Sequence, residues 1–330
     1  MKRIIACDLF TDLNLYRIPS KYQLELERRF PNFAIVPVNT PGNPLIIEDA
    51  EIYWGNRIKA KMLDAMPRLK WIHFGSIGIG DIRNSNASEK KIIVTNSKGT
   101  SEKAVALTAL SFLLSLARGL KIASEISSVD EFSREGFDFY FDSVFDFSEH
   151  YNVLILGYGE IGGLLGGYFS CLGIQYDIVV EDNQKERRGN FNNIYELGDL
   201  ESIINKYDAI INILPLTNLT KGVFDCAKFS RMKPTSFFIN VGRGETVVEC
   251  DLIKAIKSKK IAGAGLDVFE NEPLDNKSEL LKLSNVLITP HIAAMSNSYW
   301  PKEIEIFSNN LELFIKGIQL KNIVNLSKGY

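Results

Sequence analysis

Gly157-Tyr158-Gly159-Glu160-Ile161-Gly162 is a glycine-spaced turn lying directly after the apolar run Val153-Leu154-Ile155-Leu156. Between a strand and a helix, such glycines have separate tasks. The first permits a tight turn, the second lets the backbone approach a pyrophosphate, and the third lets the helix pack close to the strand. The start of the helix then presents amides and a positive dipole end to an anion. Dinucleotide binding is the chemistry this points to, with a glycine-rich structural turn as the bland alternative. The next apolar run, Gln175–Val180, ends in Glu181-Asp182. Either carboxylate could accept from ribose hydroxyls and repel a 2′-phosphate, which favours NAD. Lys185, Arg187 and Arg188 follow. They either face solvent or take a 2′-phosphate, so NADP stays open.

Three later segments carry reactive side chains. Ile239-Asn240-Val241-Gly242-Arg243-Gly244 ends an apolar run with a glycine-flanked arginine, whose planar fork suits a carboxylate. Gly265-Leu266-Asp267-Val268-Phe269 leads to Glu272-Pro273, and Thr289-Pro290-His291 closes a third run. Loops at the carboxyl ends of parallel strands are where α/β folds build their sites. Taken singly, Arg243 reads equally as a surface arginine, Glu272 as an exposed loop acid and His291 as a satisfied structural residue. His73 and His150 have no motif around them and are read as structural.

The elements that must hold these residues alternate along the chain. Strands are expected at Arg3–Cys7, Phe33–Val38, Glu51–Trp54, Leu69–Phe74 and Lys91–Thr95, with helices near Lys21–Arg29 and Ile58–Ala65. A long apolar helix follows at Ser101–Lys121. A second series has strands at Asn152–Leu156, Gln175–Val180, Ala209–Leu214, Ser236–Val241, Gly263–Phe269 and Asn285–Thr289. Its helices fall near Gly162–Cys171, Leu200–Tyr207 and Cys250–Ser258, and a last helix from about Ser296 to Lys316 stops at Gly317. Ser127–Tyr151 is polar and aromatic without clear period. Two alternating series in 330 residues imply two doubly wound parallel-sheet α/β domains.

Composition sets the outer limits. The chain is 45% hydrophobic and 24% charged with net charge -2, which gives no electrostatic reason to expect nucleic acid or an acidic membrane as partner. No run approaches a membrane span, and Asp8 and Asp12 break the N-terminal stretch before it can serve as a signal h-region. Cys7, Cys171, Cys226 and Cys250 are scattered. A cytoplasmic protein without disulfides or a metal site is expected.

In combination and in this order, the segments resemble the D-isomer-specific 2-hydroxyacid dehydrogenase family. The likeness extends to Leu69-Lys70-Trp71-Ile72 through Ser76-Ile77-Gly78-Ile79-Gly80-Asp81, similar to the family's substrate loop. It also takes in Val94-Thr95-Asn96 through Ala117-Arg118-Gly119, Leu214-Pro215-Leu216-Thr217, Met232-Lys233-Pro234 and Asn322-Ile323-Val324-Asn325. The resemblance implies that His291 is the general acid for keto reduction and the base in reverse, and that Glu272 orients it and favours its protonated form. Arg243 would bind the substrate carboxylate, with Ser76 and the backbone amides around Ile77 and Gly78. Asp267 would meet the nicotinamide carboxamide. Cofactor contacts are expected from Gly157 to Gly162, Glu181, Asp182, Leu214, Pro215, Thr220, Val241, Gly242, Arg243, Asp267 and His291. The implied layout is a Rossmann cofactor domain, residues 98–291, inserted into a flavodoxin-like substrate domain made of 1–97 and 292–330. Family members are commonly homodimers, and the expected ligands are NAD, with NADP as the alternative, and a small 2-keto or 2-hydroxy acid.

The chain departs from the family pattern in places. Leu107 stands where the crossover helix usually has an acid, and Glu102 stands where a phosphate-contacting threonine is usual. Val180 falls at the ribose-acid position, Ser148-Glu149-His150-Tyr151 replaces a tryptophan and glycine pattern, and an arginine after His291 is replaced near Trp300. Trp54, Asn56, Arg57, Met295, Tyr299 and Trp300 are candidates to set substrate choice. Two other functions are compatible with the trio: oxidation of another small anion such as phosphite, and a non-catalytic NAD-sensing scaffold similar to the corepressor relatives. Formate enzymes of the superfamily carry glutamine where Glu272 stands.

Overall fold

The structure is a computed structural model that describes the chain except residues 1, 11–16, 39–47, 81, 83–84, 125–150, 182–185 and 327–330. Asp81, His150, Asp182, Lys185 and nearly all of the Ser127–Tyr151 stretch therefore lie outside the described residues. The chain forms two compact units, one of residues 1–101 with 295–330 and one of residues 102–294.

The first unit contains β1 (Arg3–Cys7), α1 (Ser20–Arg29), β2 (Phe33–Pro37), β3 (Ala50–Trp54), β4 (Trp71–Phe74) and β5 (Ile93–Asn96). The second contains α2 (Glu102–Ala117), α3 (Leu120–Ala123), β6 (Asn152–Leu156), α4 (Glu160–Leu172), β7 (Gln175–Val180), β8 (Ile194–Glu196), α5 (Leu200–Ile203) and β9 (Ala209–Asn212). It continues with α6 (Cys226–Arg231), β10 (Phe237–Asn240), α7 (Glu249–Lys257), β11 (Gly263–Leu266) and β12 (Val286–Ile288). The terminal helix α8 (Tyr299–Lys316) returns to the first unit and ends at Gly317, whose φ of 67° is the left-handed cap glycine supplies.

All five strands of the first sheet pair in parallel in the order β2-β1-β3-β4-β5, the flavodoxin-like order. Alternate side chains feed two cores. Ile5, Cys7, Ile52, Trp54 and Trp71 meet Leu26 of α1 and Ile304, Phe307 and Leu311 of α8, while Ala6, Tyr53, Ile72 and Phe74 pack on the opposite face with Met62 and Leu63. Trp54 is thereby excluded from any pocket. It is fully buried, stacked on Phe307 at 4.0 Å between centroids, and its indole N–H donates to the buried Glu303 at 2.8 Å. The pleat sends residues 52 and 54 to the α8 side, which removes Trp54 from the candidates to set substrate choice. His73 is buried with Nδ1 2.7 Å from Thr95 Oγ1.

The second sheet runs β12-β11-β10-β9-β6-β7-β8, again all parallel. Its first strand, β6, has β7 and β8 on one side and β9, β10, β11 and β12 on the other, which is the Rossmann order carrying one further strand. Leu154, Leu156, Val179, Ile210 and Phe238 face a core built with α5, α6 and α7. Val153, Ile155, Ile178, Ile211 and Ile239 face one built with α2 and α4. Both faces are covered, which is why these strands read as continuous apolar runs. Close packing also explains Gly265: a Cβ there would lie 2.7 Å from Cβ of Phe112 on α2.

Candidate active site

In the second unit the chain reverses direction across the sheet between β6 and β9, and the glycine turn leaves β6 at that point. Gly157 has φ 94°, a conformation that side chains disfavour, and its amide donates to Val179 O at 2.9 Å. A Cβ on Gly162 would sit 2.4 Å from Gly157 O, so its absence lets α4 pack onto the turn. A Cβ on Gly159 would meet nothing within 4 Å, leaving open space at the start of α4, and Gly159, the N-cap residue, has no side chain to cap that helix. This opening at an uncapped N-terminus suits a pyrophosphate, so the residues present fit a dinucleotide. The Glu160 carboxylate has the wrong sign for a phosphate, which restricts its part to the backbone, and Ile161 follows it on the first turn of α4. Tyr158 closes the turn on the other side. Its hydroxyl lies 3.2 Å from that of Tyr176 and 3.4 Å from Arg188 O, and its ring meets Phe191 edge-on. Val180 is buried at the end of β7, and Glu181 is exposed directly after it.

Two buried asparagines at paired positions, Asn212 ending β9 and Asn240 ending β10, shape the next loops. Asn212 donates to Asn240 at 3.1 Å and to Thr246 Oγ1 at 2.7 Å, and accepts from the Leu214 amide at 3.2 Å. Asn240 accepts from the Gly242 amide at 3.1 Å and donates to Arg243 O at 3.2 Å. Sequence reasoning passed over this pair, although the repeated strand ending in Ile-Asn was its visible signal. Thr220 works inward: its hydroxyl donates to Pro215 O at 2.6 Å and accepts from the Thr217 amide at 2.8 Å, so it builds the Leu214–Thr220 loop.

Arg243 is flanked by two close backbone approaches. A Cβ on Gly242 would lie 2.8 Å from Leu214 O, and one on Gly244 would lie 1.8 Å from Phe269 O, while Val241 is buried before them. The half-buried guanidinium donates to Gly242 O at 2.6 Å. Burial lowers its pKa, and Glu245 and Glu272 oppose that shift. It remains a cation with N–H groups to offer.

Glu272 and His291 meet directly. His291 Nδ1 lies 2.6 Å from Glu272 Oε2, and the other oxygen, Oε1, accepts from the Phe269 amide at 3.0 Å. The hydrogen bond to Glu272 raises the pKa of His291, while burial and the charge of Arg243 push the other way. Burial raises the pKa of Glu272, yet the His291 bond and the nearby cations outweigh it and hold the carboxyl below its usual range. Arg243 acts electrostatically on both partners, so the structure brings the three residues together within one unit. Nε2 of His291 is the ring atom left for chemistry, because Nδ1 is held by the carboxylate.

Asp267 has a task the sequence reading did not give it. It is buried, and its carboxylate accepts from Thr289 Oγ1 at 2.6 Å, the Ile292 amide at 2.8 Å and the Ala293 amide at 3.0 Å. It pins the loop that carries His291, and with Oδ1 accepting two of these bonds and Oδ2 one, an acceptor position remains on Oδ2 for a carboxamide.

In the first unit, the 74–78 segment has every carbonyl tied down. Phe74 O accepts from Ser97 Oγ at 2.7 Å, Gly75 O from the Tyr299 hydroxyl at 2.5 Å, Ser76 O from the Ser97 amide at 3.2 Å, Ile77 O from Asn96 Nδ2 at 2.8 Å and Gly78 O from Ser76 Oγ at 2.8 Å. The amides of residues 75–79 have no partner among the described residues. Successive unbonded amides of this kind form an anion-binding concavity.

Comparison with known proteins agrees with this geometry. The model of the D-isomer specific 2-hydroxyacid dehydrogenase NAD binding domain matches residues 110–293. Glyoxylate/hydroxypyruvate reductase B of Shigella boydii serotype 4 is 32% identical over 294 residues, covering 88% of this chain and 89% of that protein. A D-isomer specific 2-hydroxyacid dehydrogenase family protein from Aeromonas salmonicida superposes with TM-score 0.79 at 25% identity, covering 99% of this chain and all of that one. An NADPH-dependent glyoxylate/hydroxypyruvate reductase from Sinorhizobium meliloti, solved with NADP and malonate, gives TM-score 0.79 at 25% identity over 99% and 98% of the two chains. By sequence and by fold, this chain belongs to the D-isomer specific 2-hydroxyacid dehydrogenase family.

Proposed function

We propose that the chain interconverts a 2-keto acid and a D-2-hydroxy acid with His291 as acid and base, Glu272 as its partner and Arg243 as the cation for the substrate. The observation that carries this reading is the 2.6 Å bond between His291 and Glu272, formed in reach of Arg243's charge. The bound nicotinamide supplies the hydride or receives it. Nε2 of His291 gives its proton to the carbonyl oxygen during reduction and takes it back in oxidation. Glu272 keeps the imidazole oriented and stabilises its charged form. Within the second unit Arg243 offers its fork to an anionic group of the substrate, and within the first the amides of residues 75–79, with Ser76, offer donors to one.

The dinucleotide is assigned to the unit of residues 102–294, with contacts at Gly157 to Gly162, Leu214, Pro215, Val241, Gly242 and Asp267. Glu181, placed at the end of β7, supports a preference for NADH. The Sinorhizobium relative was solved with NADP, and Arg187 and Arg188 follow β7 here, so the same assay is run with both cofactors. Glyoxylate and hydroxypyruvate, after which the relatives are named, are the first substrates to try. Purified protein mixed with NADH or NADPH and a panel of 2-keto acids should consume the reduced cofactor, followed by its absorbance. Cofactor binding without turnover of any keto acid would sink the reading and favour a sensing scaffold.

We place the protein in the cytoplasm as a homodimer. Four free cysteines support a reducing compartment, and no described helix is long and apolar enough to cross a membrane. Exposed Leu107, Leu120, Leu164 and Leu172 on α2, α3 and α4 support association through the second unit. Sedimentation at micromolar concentration would show a single monomeric species if the dimer is wrong.

A further inference from the structure

The carboxyl edge of the first sheet carries a second feature beside the 75–79 amides. Asp8 directly follows β1 and is buried. Its carboxylate accepts from the Tyr53 hydroxyl at 2.5 Å, from the Asn56 amide at 3.0 and 3.1 Å, and from the Arg57 amide at 2.7 Å. Gly55 completes the arrangement, because a Cβ there would stand 1.9 Å from Asp8 Oδ1. A buried carboxylate is expensive unless it is fully hydrogen-bonded. Here three of its bonds go to one short loop, and they fix the backbone of Asn56 and Arg57. Asn56 also joins this loop to its neighbour, its side-chain amide lying 3.0 Å from Ser76 Oγ.

The Arg57 side chain is exposed, and it makes no hydrogen bond or ion pair with a described residue. In a sheet of this order, ligands bind at the carboxyl ends of the strands where the order reverses, between β1 and β3. Asp8 and Gly55–Arg57 are the residues that leave those two strands. One edge therefore holds an amide concavity for one anion and, linked to it by Asn56 and Ser76, an arginine on a pre-ordered backbone. We propose that Arg57 sets substrate class by binding a second anionic group, carboxylate or phosphate, on a 2-keto acid whose first carboxylate lies at the 75–79 amides. This rests on the 2-keto acid reading above. A guanidinium matches either group with paired N–H bonds, and a fixed backbone reduces what must be ordered on binding.

The test compares initial rates on oxaloacetate, 2-oxoglutarate and 3-phosphohydroxypyruvate with those on pyruvate and glyoxylate, for the intact protein and for Arg57→Gln and Arg57→Lys, with thermal melting of each. The expected result is a higher kcat/KM on an acid with a second anionic group. In Arg57→Gln that preference falls about tenfold through KM, and in Arg57→Lys it falls less. The dicarboxylates and the phosphorylated acid separate the two anion types. A preference that is absent in the intact protein, or one unaltered in Arg57→Gln, overturns the inference. So does a drop in melting temperature with no change in preference, since Arg57 would then serve only as counter-charge to Asp8. Turnover of pyruvate or glyoxylate in those cases leaves the parent reading standing, whereas no turnover on any acid overturns both.

Discussion

The His291 amide donates to Asp267 O at 2.9 Å, and the Asp267 carboxylate binds the amides of the two residues that follow, Ile292 and Ala293. His291 adopts φ 53°, a left-handed conformation that costs a non-glycine residue on the order of 1 kcal/mol. The bonds from Asp267 on either side of that residue hold it there. Asp267→Asn puts an N–H donor where one of the two backbone donors now points. We expect kcat to fall about 10- to 100-fold as the imidazole shifts, with about 1–3 kcal/mol of stability lost from the unsatisfied buried group. Rates and denaturant unfolding measure the two effects, and wild-type kcat in Asp267→Asn would contradict the role.

Glu272→Gln tests the electrostatic half of the pair. Glu272 raises the pKa of His291, so removing its charge returns that pKa toward the ordinary histidine value near 6.5. Keto reduction requires the protonated imidazole. The variant should lose kcat/KM at a lower pH than the wild type as pH is raised, while oxidation, which needs the neutral imidazole, gains its rate earlier. A pH profile with an unmoved alkaline limb would count against the pairing.

The same pair leaves a small imprint on stability. His291 has a raised folded pKa, so its contribution is fully present below the unfolded histidine pKa and is lost as pH rises through the folded value. Glu272 has a lowered pKa, so its contribution is present above the unfolded carboxyl value and is lost as pH falls through the folded one. Side-chain exposures of 49% and 35% mean solvent screens the pair, which limits the effect to under about 1 kcal/mol. Urea unfolding of wild type and His291→Gln should diverge most between those limits and converge at both extremes.

Much of this arrangement was legible in the chain because it rests on local signals. The strand and glycine turn at Asn152–Gly162 lie where the apolar run and glycine spacing put them. The end of α8 at Gly317 was equally plain. What escaped was short or set by distant packing. β8 is three residues with no buried side chain, so no apolar alternation marked it. α6 is one and a half turns long, and its signal was Asp225, whose side chain caps the Lys228 amide. The loop-holding task of Asp267 escaped because the three donors that bind its carboxylate come from residues more than 20 positions away.

Arg243→Lys should behave nearly as badly as Arg243→Gln. The position presents a planar fork held between two tight glycine approaches, and a lysine ammonium on a flexible stem cannot reproduce two parallel N–H bonds to a carboxylate. We expect kcat/KM to fall at least about 100-fold in both variants, with NAD(P)H affinity changed several-fold at most, read by fluorescence titration. Equal losses of cofactor affinity and turnover would move Arg243 from substrate to cofactor duty.

The glycine turn separates folding from binding residue by residue. Gly162→Ala forces a Cβ to within 2.4 Å of Gly157 O, a backbone atom that cannot swing aside, so α4 must shift from its strand. Overpacking of that kind costs about 1–3 kcal/mol, and the melting temperature should drop. Gly159→Ala adds a methyl to open space, and alanine restricts the unfolded chain, so stability should hold within about 1 kcal/mol. The methyl instead occupies the volume assigned to the pyrophosphate, and dinucleotide affinity should fall at least about tenfold. Calorimetric titration beside thermal melting distinguishes the pair. A Gly159→Ala protein that binds NADH as tightly as wild type would show that the opening at the start of α4 is not where the phosphates lie.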